Sequence, residues 1–203
     1  MILAFDTSTA ACTAALFDGS GDCIARADEQ IGRGHAERLV PMIDELLQGR
    51  SADRIVVGVG PGSFTGIRVA IAAAHGLAIG WGAELRGMSS LALLAASAND
   101  EGDVGTAVLG GHGELFVQQF DADSLQPTTE LRNLRPADAA REITADLVIG
   151  SGAAQLVDSR GSGEAREAWP SAANALRLPE DLRSLAPRPV YARAPDARAK
   201  EAA

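Results

Sequence analysis

Between Ile67 and Ile79 the chain carries only two polar side chains, Arg68 and His75. At about 100° per residue, Ile67, Ala70, Ile71, Ala74, Leu77 and Ala78 fall on one face of a helix, while Val69, Ala72, Ala73 and Ile79 fill most of the rest. Before this helix, Ile55 to Val59 is a short β-branched run and Gly58 to Gly66 is rich in Gly and Pro. The local pattern therefore predicts buried strand, tight loop, helix. A helix that is apolar nearly all round must be covered on more than one side. One sheet of this chain can cover one side, and its own second lobe or another protein must cover the other.

Upstream, Ile2 to Phe5, Cys12 to Phe17 and Cys23 to Asp28 read as consecutive strands, the last two joined by the turn Asp18-Gly19-Ser20-Gly21-Asp22. Ala36 to Gln48 places Leu39, Val40, Met42, Ile43, Leu46 and Leu47 at helical spacing over a broad arc, and Gly49 supplies the stop. Glu84 to Gly87 reads as a strand, and Leu91 to Ala98 as a helix capped by Ser89 or Ser90. The polar stretch from Asn99 to Gly105 marks a boundary, after which the order repeats. Thr106 to Leu109, Leu115 to Phe120 and Glu130 to Leu134 read as strands, Pro136 to Ile143 as a helix, Leu147 to Ile149 as a strand and Gly152 to Val157 as a helix start. Arg160 to Ser171 reads as loop or loose helix. Both halves thus read βββαβα. Such a duplication resembles the α/β architecture of ribonuclease-H-like and actin-like proteins, two lobes each on a five-stranded sheet, here with a short second lobe. The expected division is 1–100, 101–193 and a tail, 194–203.

A chain of 203 residues with 46% hydrophobic content can hold a substantial core. The formal net charge of −9, spread along the sequence, argues against a nucleic-acid surface belonging to this chain alone. The start, MILAFDTS, lacks a basic leader and reads as a strand, and apolar runs are interrupted by Gly, Arg or His, so neither a signal peptide nor a membrane span is expected. The expected location is cytoplasmic. Hairpin register is expected to set Cys12 opposite Ala27, which leaves Cys12 and Cys23 as separate buried thiols rather than a disulfide.

Four stretches, ILAFDTSTAACTAAL, GHAERLVPMIDELL, VVGVGPGSFTGIRVAIAAAHGLA and PVYAR, resemble the bacterial TsaB (YeaZ) family with its Gcp-like domain; between Gly110 and Leu185 the resemblance is thin. The resemblance implies a catalytically inert relative of TsaD, a pseudoenzyme. It would be the partner of TsaD in forming threonylcarbamoyladenosine at position 37 of tRNAs that read ANN codons. It also implies association through the first two N-terminal helices as a four-helix bundle, a TsaE-like ATPase as further partner, and contact with tRNA only through the complex. The interface expected on these helices comprises Leu39, Met42, Ile43, Leu46, Ile67, Ala70, Ile71 and Ala74, and the same apolar face allows a homodimer when the partner is absent.

An actin-like ATPase or kinase needs a phosphate loop with a metal-binding Asp in each lobe. Asp6-Thr7-Ser8-Thr9 has the Asp but no Gly at Ser8, and Leu109-Gly110-Gly111-His112 has glycines but no carboxylate. Asp6 can equally serve by capping its own loop. Gly60 to Gly66 fits neither GxxxxGK[ST] nor GxGxxG; it reads as a sharp turn whose Gly66 lets another helix approach. In TsaD the matching loop lies near the nucleotide, so Asp6, Thr7, Ser8, Gly62 and Ser63 are the residues that would lie beside ATP or ADP at a partner interface. No cofactor is assigned to this chain alone. A metallopeptidase is the remaining alternative, but the His-x-x-x-His pair of TsaD relatives falls at Ser90 and Leu94. His35, His75 and His112 have no metal-motif spacing.

Overall fold

The computed structural model describes residues 1–98 and 102–192. Three strands open the chain, β1 (Ile2–Asp6), β2 (Ala11–Phe17) and β3 (Cys23–Gln30), followed by α1 (His35–Leu47), β4 (Arg54–Gly58), α2 (Phe64–Trp81), β5 (Glu84–Met88) and α3 (Ser90–Ala95). The strands form a five-stranded sheet ordered β3-β2-β1-β4-β5. β3, β2 and β1 are antiparallel neighbours, and β4 and β5 add in parallel. The second half repeats this with β6 (Asp103–Leu109), β7 (Leu115–Asp121), β8 (Arg132–Leu134), α4 (Pro136–Glu142), β9 (Leu147–Ile149), α5 (Ala153–Arg160) and β10 (Glu164–Arg166). Its sheet order, β10-β9-β6-β7-β8, is the same topology. The actin-like duplication expected from the sequence is therefore present, in trimmed form: α4 and α5 have 7 and 8 residues where α1 and α2 have 13 and 18.

Alternation along the strands decides which face meets what. On β1, Leu3 and Phe5 join Cys12, Ala14 and Leu16 of β2 against the helices α1 and α2, whereas Ala4, Ala15 and Phe17 face the opposite way. That opposite face is shared with the second lobe. α3, with Leu91 to Ala95 all buried, lies in the same cluster as Val104, Val108, Phe116 and Phe120 of β6 and β7, so one core spans both sheets. A smaller cluster under α4 and α5 covers the far face of the second sheet. A turn at residues 172–177 docks back on the first lobe, where Ala172 N–H donates to Thr13 Oγ1 (2.7 Å), and α6 (Glu180–Arg183) follows. The last described segment returns along β5: Leu185 and Gly87 exchange backbone hydrogen bonds of 2.8 and 2.9 Å.

Three expectations need correction. β10 lies where a loop or loose helix was expected. Glu-Ala-Arg has no apolar alternation to announce a strand, and it is held at the sheet edge by parallel backbone pairing with β9. The hairpin sets Cys12 opposite Glu29, with a bulge at Leu16/Phe17, because β3 runs on to Gln30 and the five-residue turn is closed by Asp18. Asp18 Oδ1 accepts from Ser20 N–H (2.9 Å) and Asp22 N–H (3.0 Å). Cys12 is buried as expected, but Cys23 is exposed at the end of the hairpin. The expected tail, 194–203, and the first residues of the expected boundary, 99–101, lie outside the described residues.

By length and composition α2 is the one helix among the described residues that could cross a bilayer. Its Ile67, Ala70, Ile71 and Ala74 are instead packed in the core of the first lobe.

Candidate functional site

Two features stand at the C-terminal ends of β1 and β4: a buried polar knot around Asp6, and a cleft between the lobes above it. Asp6 is fully buried. Its Oδ1 accepts from Ser8 N–H and Ser8 Oγ (both 2.7 Å), and its Oδ2 accepts from Ser90 Oγ (2.5 Å), which in turn accepts from Gly60 N–H (3.1 Å). A buried carboxylate needs such donors to remain tolerable. The alternative in which Asp6 caps its own loop describes this geometry, with Ser90 as an added donor from 84 residues away. Ser90 thus serves Asp6, while Ser89 caps α3 by accepting from Ala92 N–H (3.2 Å).

The loop from Gly60 to Gly66 is fastened to the β1–β2 loop. Thr7 Oγ1 donates to Gly66 O (2.7 Å), and Ser63 N–H donates to Ser8 O (2.7 Å). A Cβ at Gly62 or Gly66 would run into the carbonyl oxygens of Ser8 and Thr7, and one at Gly58 into the Asp6 carboxylate. These glycines make room for the neighbouring loop of the same chain. The helix expected to approach Gly66 is not what fills that space.

The cleft has a volume of about 810 Å³, within the range of small-molecule sites. Of the five residues expected beside a nucleotide, Ser8, Gly62 and Ser63 line it, and Asp6 and Thr7 lie beneath, out of its lining. Its walls also include Arg33, His35 and Glu37 around the start of α1, and Leu109, Gly110 and His112 from the second lobe. Glu37 is the single carboxylate among the described lining residues. Arg33 and Glu37 match no motif in the sequence, and the signal beside them is the glycine pair Gly32 and Gly34 that turns the chain from β3 into α1. Among the described residues no three of His, Cys, Asp or Glu gather as a metal site.

The expected interface residues are corrected by their burial. Leu39, Met42, Ile43, Ile67, Ala70 and Ala74 are at most 2% exposed, and Leu46 and Ile71 at most 9%, all within the core of the first lobe. The reason is geometric: these positions form the face of α1 and α2 that covers Leu3, Phe5, Ile55 and Val57 of the sheet. The side left open is the other one. On α2, Arg68, Ala72, His75, Gly76, Ile79 and Gly80 are exposed, with Val69, Ala73 and Leu77 half-buried beside them. Ile79 is 84% exposed and Val40 of α1 53%. Apolar residues lie all round α2, so both sides could meet the sheet, which takes the side of Ile67, Ala70, Ile71 and Ala74.

A family model described as TsaD, tRNA N6-adenosine threonylcarbamoyltransferase, matches residues 28–138. The tRNA threonylcarbamoyladenosine biosynthesis protein TsaB of Escherichia coli (strain K12) is 36% identical over 131 residues, covering 60% of this chain and 55% of that protein. The TsaB of Haemophilus influenzae is 41% identical over 103 residues, covering 48% and 42%. The chain spans about half the length of the curated relatives it matches. Solved structures match more fully. One described as YeaZ from Pseudomonas aeruginosa gives a TM-score of 0.80 at 29% identity, over 94% of this chain and 98% of that one. Another from the same organism, described as an uncharacterized protein with similarity to peptidase YEAZ, gives 0.77 at 31%, over 95% and 99%.

Proposed function

Because the chain belongs to the TsaB/YeaZ family of tRNA threonylcarbamoyladenosine biosynthesis, we propose that it is a non-catalytic subunit that seats a TsaD-like threonylcarbamoyltransferase on the outward side of α1 and α2. The complex would form threonylcarbamoyladenosine at position 37 of tRNAs reading ANN codons, with the chemistry and the tRNA held by the partner. The observation that carries the reading is the open apolar side of α2, from Ala72 to Gly80, with Ile79 84% exposed. Surfaces of this kind mark docking sites.

The inert role is supported by the knot around Asp6. With that carboxylate committed to Ser8 and Ser90, the chain brings no aspartate from β1 into the cleft to hold a metal-bound nucleotide. An ATPase or kinase using Asp6 would have to bring this buried, hydrogen-bonded carboxylate up into the cleft first. ATP or ADP therefore belongs to a site completed by the partner, and a TsaE-like ATPase joins the assembled pair. Alone, the chain covers the same side of α2 with a second copy.

The test is light scattering after gel filtration, on this chain alone and mixed with the TsaD-like protein of the same organism. A mixed complex that Ile79→Glu abolishes, with the melting temperature retained, is the expected result. A monomer that ignores the partner would overturn the reading, and tight Mg-ATP binding by the isolated chain would return attention to Asp6.

A further inference from the structure

The strap that follows α6 ends on the first turn of α2. After Leu185 has paired with Gly87, Val190 N–H donates to Val59 O (2.9 Å), which lays Tyr191 on Phe64 with ring centroids 4.8 Å apart and planes at 19°. Arg68, one helical turn beyond Phe64, closes the stack. Its guanidinium carbon lies 5.6 Å from the Phe64 ring centre and 5.9 Å from that of Tyr191, and its Nε donates to the Tyr191 hydroxyl (3.2 Å). Two rings and the Tyr191 hydroxyl thus hold a long, exposed cationic side chain in one place.

No carboxylate of the described residues pairs with Arg68, although the chain has an excess of acidic groups. Within the 18 residues of α2 it is also the one formally charged side chain. Helical spacing sets Phe64, Arg68, Ala72, His75 and Ile79 along one side, so the clamped cation stands at the end of the apolar stripe. Among the described residues no carboxylate occupies its terminal nitrogens, whose fork geometry suits a planar acceptor.

We propose that Arg68, clamped by Tyr191 and Phe64, anchors the docking face by receiving a carboxylate from the partner, whose facing surface is apolar with an Asp or Glu set against the first turn of α2. The inference rests on the docking role given to α2 above. It makes the C-terminal strap part of the interface: the strap fixes the orientation of the cation, and the charge pair sets which partner, and which register, fits.

The experiment measures binding of the full chain to the TsaD-like protein at about 50 mM and about 500 mM salt, where screening separates charge from apolar contact. Arg68→Gln and Tyr191→Ala should each weaken binding about ten-fold at low salt. The loss that salt causes in the unaltered chain should disappear in Arg68→Gln, and Arg68→Lys should restore it only in part. Ile79→Glu serves as the reference for the face as a whole. If Ile79→Glu abolishes binding while Arg68→Gln leaves both affinity and salt dependence unchanged, the anchor is refuted and the docking reading stands. If Ile79→Glu also has no effect, both fall. If Arg68→Gln weakens only self-association, the carboxylate belongs to a second copy and the proposal is overturned.

Discussion

Gly66 occupies a point where no side chain fits, because the Thr7 carbonyl oxygen lies where a Cβ of Gly66 would be and the Thr7 hydroxyl donates to the Gly66 carbonyl. Gly66→Ala must push two backbone segments apart, and a melting curve should show a loss of about 2–3 kcal/mol, as overpacking against backbone does. The Gly-rich run could be read in the sequence as a sharp turn, but its reason could not, since the residue that demands Gly66 is 59 positions away. The thiols divide in the same way. Cys12 is fully buried beside the Met42 sulfur (3.9 Å), and burial pushes its thiol up to about 11; Cys23 is exposed. Because the thiolate is the reactive form, a thiol reagent at neutral to mildly alkaline pH should modify one cysteine of the folded chain, at Cys23, and two after denaturation. Rapid labelling of Cys12 in the folded chain would contradict its place in the core.

α2 shows what periodicity can and cannot decide. Its position and extent follow from the pattern, with the Ser63 hydroxyl accepting from Gly66 N–H (3.3 Å) as N-cap and Gly82 closing the far end in a left-handed conformation. Which side turns inward does not follow, because a helix apolar all round offers the sheet a choice that only the shape of the sheet settles. Short polar elements suffer the opposite problem: β10 has no pattern, since its pairing is made by backbone alone. The two sides of α2 should respond differently to the same substitution. Ala74→Glu places a charge without a partner in the core that Ala74 shares with Leu3 and Ile55, and should unfold the first lobe or cost several kcal/mol. Ile79→Glu meets solvent and should leave stability within about 0.5 kcal/mol. Thermal melts of the two variants check this directly, and equal destabilisation would mean that the outward side is covered within the chain.

The repeat of three strands, helix, strand, helix could be read along the chain, but the joining of the lobes could not, because every contact that makes it is long-range. Ala4, Ala15, Phe17 and Val56 of the first sheet share one core with Val104, Val108, Phe116 and Phe120 of the second, and α3 fills the space between. Ser171 and the 172–177 turn after it add polar ties to the first lobe, with Ser171 Oγ donating to Asp28 (3.0 Å) and Ala172 N–H to Thr13 Oγ1 (2.7 Å). A two-lobed enzyme that closes on its substrate needs a junction able to slide or hinge; a shared, close-packed core resists both. Such a junction suits a subunit that presents a fixed surface. It also makes each lobe a poor independent unit, since residues 1–98 alone would expose the buried side of α3 and the inner face of the sheet. Calorimetry of the full chain should therefore give one transition, with the van't Hoff and calorimetric enthalpies equal. The 1–98 fragment should lack a cooperative melt and bind hydrophobic dye. Two separate transitions, or a fragment that melts sharply, would mean that the lobes fold apart and do not form a rigid platform.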